Sequence, residues 1–156
     1  MDIALASDHG GFQLKETLKT FLNDLGHQVG DFGTNSPDPV DYPDFVIPAC
    51  RAVAEGRCER GIVICGTGIG ACITANKVKG IRAALCLDAY STQQSRIDNN
   101  ANVLCLGGRV MGVELAKEIV RIWLETEFSG AERHRRRLAK IQAIEASSTY
   151  PTTERC

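Results

Sequence analysis

Short runs of consecutive apolar residues alternate along this chain with segments of helical periodicity. Ile3–Ala6 and Gly61–Cys65 are apolar at every position, which is typical of strands buried on both faces of a sheet. Between them, the apolar residues from Leu14 to Leu25 recur at helical spacing. Because helices separate the strands, the sheet is expected to be parallel. The sequence therefore predicts one α/β domain of Rossmann-like type: a doubly wound, five-stranded parallel sheet with helices on both faces.

The predicted elements cover most of the chain. The strands are expected at residues 3–6, 28–32, 61–65, 82–87 and 102–106. The helices are expected at residues 14–25, 44–55, 90–97, 113–128 and 131–146, with a short one ending at Lys77. Pro48 falls inside the second helix and argues against a regular first turn. Residues 1–146 are predicted to form the domain, and residues 147–156 a loose tail.

Composition excludes several classes of protein. The net charge is −1 and aromatic residues make up 6%, which argues against a nucleic-acid partner. No apolar run approaches the roughly 18 residues of a membrane span, and the first residues lack the features of a signal peptide. Seven cysteines without a C-x-x-C pair argue against a disulfide framework and a zinc site. We expect reduced thiols, no bound metal and a cytoplasmic location.

Ligands of doubly wound folds bind beyond the carboxyl ends of the strands. This rule selects Ser7–Gly11, Cys65–Gly70, Leu87–Tyr90 and Leu106–Arg109.

Cys65–Gly70, with the sequence CGTGIG, is the most informative of these segments. It can be a tight turn that simply requires glycine. It can also bind a dinucleotide, because Gly66-x-Gly68-x-x-Ala71 fits that fingerprint and Asp88 ends the next strand; the fingerprint, however, normally follows the first strand. In a third interpretation the Cys65 thiolate removes a proton from carbon while the backbone N–H groups hold the resulting oxyanion.

Two further groups of residues allow both a structural and a functional interpretation. Asp8 and His9 follow the first strand and suit a polar ligand, although a lone histidine in a turn is often structural. Arg133 and Arg137 lie four residues apart in a basic run, on one face of the predicted helix. Such a run is usually a solvated face, but paired arginines also clamp phosphate dianions.

Several of these motifs together resemble the type B ribose-5-phosphate isomerases and the related galactose-6-phosphate isomerase subunits. The resemblance covers about residues 1–146. It depends on segments 7–10 (SDHG), 41–44 (DYPD), 65–70 (CGTGIG), 75–77 (ANK), 80–83 (GIRA), 99 and 101–103 (N, ANV), 108–109 (GR), and 133–134 with 137 (RH, R).

The resemblance implies that an aldose and a ketose phosphate are interconverted through an enediolate, without a cofactor, metal or nucleotide. Cys65 would be the base, since the glutamate that some relatives use instead corresponds to Ala71 here. Thr67 would assist the transfer of hydroxyl protons. The backbone amides of Gly66, Gly68 and Gly70 would hold the enediolate, and Asp8 and Tyr42 would bind sugar hydroxyls. The phosphate would be bound by His9, Arg133 and Arg137, and the pocket would be completed by Asn99 and Arg109. The resemblance also implies a homodimer, or a dimer of dimers, with a shared site.

One position departs from the family pattern. The ring-opening histidine normally precedes the asparagine that corresponds to Asn99, whereas this chain has Asp98 there. Either Asp98 opens the ring of ribose 5-phosphate, or the substrate is a tetrose 4-phosphate, which cannot close a furanose. A hexose 6-phosphate is a further alternative, and a phosphosugar-binding module without catalysis is the non-enzyme alternative.

Overall fold

The computed structural model of the chain describes residues 1–146; the predicted tail at 147–156 lies outside the described residues. The five strands are β1 (Asp2–Ser7), β2 (Gln28–Asp31), β3 (Arg60–Cys65), β4 (Ala83–Leu85) and β5 (Val103–Gly107). The helices are α1 (Phe12–Asp24), α2 (Tyr42–Ala54), α3 (Ile69–Ala75), α4 (Ala89–Ile97), α5 (Val113–Glu125) and α6 (Glu132–Ala146).

The strands form one parallel sheet in the order β2-β1-β3-β5-β4. This confirms the predicted α/β fold with a five-stranded parallel sheet. One face packs against α1 and α5 through a core that includes Leu18, Leu104 and Trp123. The other face packs against α2 and α3 through smaller side chains, including Ala49 and Val63. The sheet is therefore covered on both sides, as its continuous apolar strands require.

The second helix begins earlier than predicted and continues through Pro48. Its buried face, which includes Val46, Ala49 and Val53, packs against β1 and β3. Burying that face outweighs the loss of one hydrogen bond at the proline.

The strand β4 is shorter than predicted and lies at the edge of the sheet. Its outer side is occupied by a side chain from just beyond α3. The Asn76 carboxamide accepts a hydrogen bond from the Ala83 N–H at 2.9 Å and donates one to the Ala83 carbonyl at 3.0 Å. One amide side chain thus provides the pairing that a neighbouring strand would give.

A buried ion pair joins α1 to β2. The Lys15 side chain is fully buried, and its Nζ lies 2.8 Å from Oδ2 of Asp31. Lys19 approaches the same carboxylate at 2.6 Å. Burial acts to raise the pKa of Asp31, but hydrogen bonds from Lys15, Lys19 and the Gly33 N–H outweigh it and lower that pKa below its ordinary value.

None of the helices within residues 1–146 has the length and apolar character to cross a membrane.

Candidate active site

Three loops meet at the carboxyl edge of the sheet because β1, β3 and β5 are adjacent. They approach so closely that glycine is required at the contacts. A Cβ at Gly10 would lie 3.0 Å from the Gly66 Cα, and one at Gly108 would lie 2.5 Å from the Gly10 carbonyl oxygen. Three of the four segments selected from the sequence therefore form one surface.

Cys65 ends β3 and its side chain lies beneath the glycine-rich turn, only 4% exposed. The Gly68 N–H donates a hydrogen bond to the Cys65 Sγ at 3.2 Å, which fixes the position of the sulfur. Gly68 has a φ of 81°, in the left-handed region that favours glycine. A Cβ there would lie 2.5 Å from Leu85 Cδ1 and 2.9 Å from the Leu106 carbonyl carbon. The turn is thus shaped by both its backbone conformation and its packing.

Asp8 and His9 border this turn from the loop after β1. Asp8 is 7% exposed, and its Oδ1 accepts a hydrogen bond from the Gly11 N–H at 3.0 Å. The Nδ1 of His9 accepts the Val40 N–H at 3.2 Å. In the neutral ring this leaves the proton on Nε2, which makes that nitrogen a donor.

Tyr42 and Arg109 each lie close to a glycine of the glycine-rich turn. Tyr42 is the first residue of α2, and a Cβ at Gly70 would lie 2.8 Å from its ring carbon Cζ. The Arg109 side chain crosses Gly66, where a Cβ would lie 3.4 Å from its Cδ. Thr67 is exposed at the tip of the turn. The structure therefore brings together nine of the predicted site residues: Asp8, His9, Tyr42, Cys65, Gly66, Thr67, Gly68, Gly70 and Arg109.

The other four predicted residues lie elsewhere in the chain. Asp98 and Asn99 follow α4 at the amino edge of the sheet, where the Asn99 carbonyl accepts a hydrogen bond from Nε of Arg82 at 3.1 Å. Cys65 pairs with Gly107, at the opposite end of β5. Four residue steps along that strand correspond to about 13 Å. Within one chain, Asp98 and Asn99 therefore do not join the surface around Cys65.

Arg133 and Arg137 are both exposed on α6, and Arg133 lies close to this second group. Arg133 Nε donates to Nε2 of His134 at 2.9 Å, and the same Nε2 lies 3.3 Å from Oδ1 of Asp98. No role was predicted for His134 from the sequence, although a histidine inside an arginine run is the signal that could have identified it. Here it connects the predicted phosphate-binding arginine to the aspartate.

The glycine-rich turn and Asp88, which could have formed a dinucleotide site, do not have the arrangement that such a site requires. The glycine-rich turn follows β3, not β1. Asp88 caps α4, accepting the Ser91 N–H at 2.8 Å and the Ser91 hydroxyl at 2.7 Å. The fourth selected segment thus contains a helix cap instead of an acid directed at the glycine-rich turn. Across residues 1–146, no cluster of three or more His, Cys, Asp and Glu side chains is arranged to hold a metal ion.

One thiol near the turn has unusual electrostatics. A hydrogen bond with Cys105 is the main effect that lowers the pKa of Cys72 to about 7, against the opposing effect of burial. Burial raises the pKa of Cys105 itself well above its ordinary value. The six cysteines within residues 1–146 are all free thiols.

Comparison with known proteins identifies the family. Residues 3–141 match the ribose/galactose isomerase family model. Ribose-5-phosphate isomerase B of Escherichia coli is 48% identical over 143 residues, which is 92% of this chain and 95% of that protein. D-erythrulose-4-phosphate isomerase of Pectobacterium atrosepticum is 47% identical over 132 residues, covering 83% and 86% respectively.

A solved structure extends this similarity to the whole fold. Ribose-5-phosphate isomerase B of Clostridium thermocellum superposes with a TM-score of 0.93 at 51% identity, over 96% of this chain and all of that one. The order and parallel pairing of the strands, the glycine-rich turn after β3 and the sequence similarity agree. The chain therefore belongs to the ribose/galactose isomerase family and is an aldose–ketose isomerase.

Proposed function

We propose that this isomerase converts ribose 5-phosphate to ribulose 5-phosphate, with Cys65 as the base. The observation that supports this is the position of the thiol: buried at the end of β3, with Sγ held by the Gly68 N–H at 3.2 Å. The base and the backbone donors lie within one turn, which suits enolisation of a carbonyl compound.

The reaction is a proton transfer in two steps. The Cys65 thiolate removes the proton from C2 of the open-chain aldose, and the electrons of that C–H bond move toward the carbonyl oxygen at C1. The N–H groups of Gly66, Gly68 and Gly70 hold the enediolate oxygens, and Thr67 carries the hydroxyl proton between them. Cys65 then delivers its proton to C1, so that atoms and charge balance without an oxidant.

We assign the other parts of the substrate to the remaining residues around the turn. Asp8 and Tyr42 bind sugar hydroxyls, and His9 offers its Nε2–H to the phosphate. Arg109, whose side chain lies across Gly66, closes the pocket over the turn.

We propose that a second copy of the chain supplies Asp98, Asn99, Arg133 and Arg137 to each site. This assembly is supported by the position of Asp98 and Asn99 at the amino edge of the sheet, because the length of β5, about 13 Å, separates that edge from Cys65. A homodimer that places this group opposite the partner's glycine-rich turn would complete both sites. Exposed apolar side chains near the carboxyl edge, including Ile69 and Val110, suit a contact of this kind.

A tetrose 4-phosphate is the second candidate substrate. It is favoured by Asp98, which stands where the resemblance predicts a ring-opening histidine, and by relatives named D-erythrulose-4-phosphate isomerase. Purified enzyme should be compared on ribose 5-phosphate and erythrose 4-phosphate by kcat/KM. Preference for the pentose supports the proposal, and preference for the tetrose replaces its substrate. Absence of turnover with both would refute the proposed function.

The role of Cys65 is tested separately. Cys65→Ala should lower kcat/KM by at least about 100-fold, the low end of what a positioned proton-transfer group contributes, while substrate binding is retained. Cys58→Ala is the matched control, because Cys58 is also buried but precedes β3 at the amino edge. Equal activities of the two variants would exclude Cys65 as the base.

A further inference from the structure

His134 is the only residue of α6 that is buried, with 2% of its surface exposed. Its ring has a polar partner at each nitrogen. Nδ1 lies 2.7 Å from the Ser129 hydroxyl, which also accepts the Ala131 N–H at 3.3 Å. Nε2 faces both Nε of Arg133 at 2.9 Å and Oδ1 of Asp98 at 3.3 Å.

These two partners of Nε2 require opposite protonation of that nitrogen. Arg133 is a donor, so it needs a lone pair on Nε2, and the ring proton then lies on Nδ1 and is donated to Ser129. Asp98 is an acceptor, so it needs a proton on Nε2, and Nδ1 then accepts the Ser129 O–H. The hydroxyl of Ser129 can donate or accept, so it supports either tautomer without moving the ring.

The choice between the tautomers depends on where Arg133 is directed. If Arg133 binds the substrate phosphate, the role that the family resemblance implies, it leaves Nε2, and the ring can donate to Asp98. The backbone then supports a chain of hydrogen bonds from the Ala131 N–H through Ser129 and His134 to the carboxylate. The Asp98 side chain remains 39% exposed, so its second oxygen is accessible to a ligand.

We infer that His134 is a positioning residue for ring opening: it holds Oδ1 of Asp98 so that Oδ2 can act on the furanose. This inference rests on the proposed function. Oδ2 takes the proton of the anomeric hydroxyl O1 and returns it to the ring oxygen O4 as the C1–O4 bond breaks and the C1=O1 bond forms. No proton is gained or lost overall. The carboxylate replaces the expected histidine because a second, buried histidine fixes its position.

The test uses two substrates that differ in their need for ring opening. His134→Gln retains a polar group but cannot reproduce the ring tautomers. It should lower kcat/KM for ribose 5-phosphate by about 100-fold, the low end of a positioned proton-transfer contribution, and leave erythrose 4-phosphate turnover unchanged. Ser129→Ala, at an exposed position, should shift the ratio in the same direction and serves if His134→Gln fails to fold. Arg136→Gln, exposed on the same helix, is the matched control.

Testing His134→Gln in the Asp98→His variant separates a role in positioning Asp98 from a general role in stabilising the fold. In Asp98→His the new imidazole opens the ring without His134, so adding His134→Gln should cause no further loss with ribose 5-phosphate. Equal losses with both substrates, no loss with either, or a loss that persists in the Asp98→His background would overturn the inference. Wild-type turnover of the tetrose alone would also overturn it while leaving the isomerase activity intact; turnover of neither substrate would refute the proposed function itself.

Discussion

Replacing Gly68 by alanine tests whether the glycine-rich turn is shaped by backbone conformation, by packing, or by both. An alanine at a φ of 81° bears a cost of about 1–2 kcal/mol. Its Cβ would also lie 2.9 Å from the Leu106 carbonyl carbon, which is backbone and cannot move aside easily. Overpacking of this kind costs about 1–3 kcal/mol. Gly68→Ala should therefore lower the free energy of unfolding by about 2–5 kcal/mol.

Two other glycines separate these contributions. Gly56 has a φ of 74° and a Cβ there would meet no atom within 4 Å, so Gly56→Ala carries only the conformational cost, about 1–2 kcal/mol. Gly66 lies outside the left-handed region and a Cβ there makes only an ordinary contact, 3.4 Å from Arg109 Cδ. Gly66→Ala should change stability by less than about 0.5 kcal/mol.

The assay is urea denaturation of the three variants at one fixed protein concentration, because association would otherwise shift the apparent stability. The expected order of destabilisation is Gly68→Ala, then Gly56→Ala, then Gly66→Ala. If Gly68→Ala were no more destabilising than Gly56→Ala, the close packing of the turn against Leu106 would carry no energetic weight and the reasoning would be wrong.

Two further predictions concern charge. Because the pKa of Cys72 is about 7, its alkylation by iodoacetamide should rise with pH and reach half its maximal rate near pH 7. Cys50, whose pKa burial raises to about 12, should stay unlabelled in peptide mass spectrometry; equal labelling of both would contradict the assignment. Asp31→Asn should destabilise the fold by about 3 kcal/mol or more, because it removes a principal partner of the buried Lys15 charge. Since the pKa of Asp31 is lowered, its stabilisation is present above the ordinary value of 3.8 and lost as pH falls below it, and this acid-dependent loss should be absent from the Asp31→Asn melting profile.

The sequence predicted the fold because its strands are apolar at successive positions, a pattern that only burial on both faces explains. The sequence pattern gave wrong element boundaries where tertiary contacts determine how far a helix or strand extends. Pro48 lies within a regular helix because the buried face of α2 packs against the sheet. The strand β4 ends at Leu85, whereas the apolar sequence continues to Leu87, which is 49% exposed. Pattern alone does not show where pairing to β5 stops.

Ligands of doubly wound folds bind beyond the carboxyl ends of the strands, and this rule selected from the sequence the three loops that meet around Cys65. The resemblance added Asp98 and Asn99, but their position at the opposite edge follows from the direction in which α4 returns along the sheet. The environment of His134 was not readable from sequence, because its three side-chain partners come from α6, from the preceding loop and from the end of α4. Only the packing of those segments brings Ser129, Arg133 and Asp98 around the His134 ring.

The Asn76 side chain has a consequence for the behaviour of the protein in concentrated solution. An edge strand normally presents free N–H and C=O groups, on which a strand from another molecule can add. At Ala83 both groups already face the Asn76 amide, at 2.9 and 3.0 Å, and β4 is only 3 residues long. An incoming strand would have to displace those bonds before forming its own. The Asn76 side chain thereby opposes the addition of a strand from another molecule at this edge, and so opposes aggregation through it.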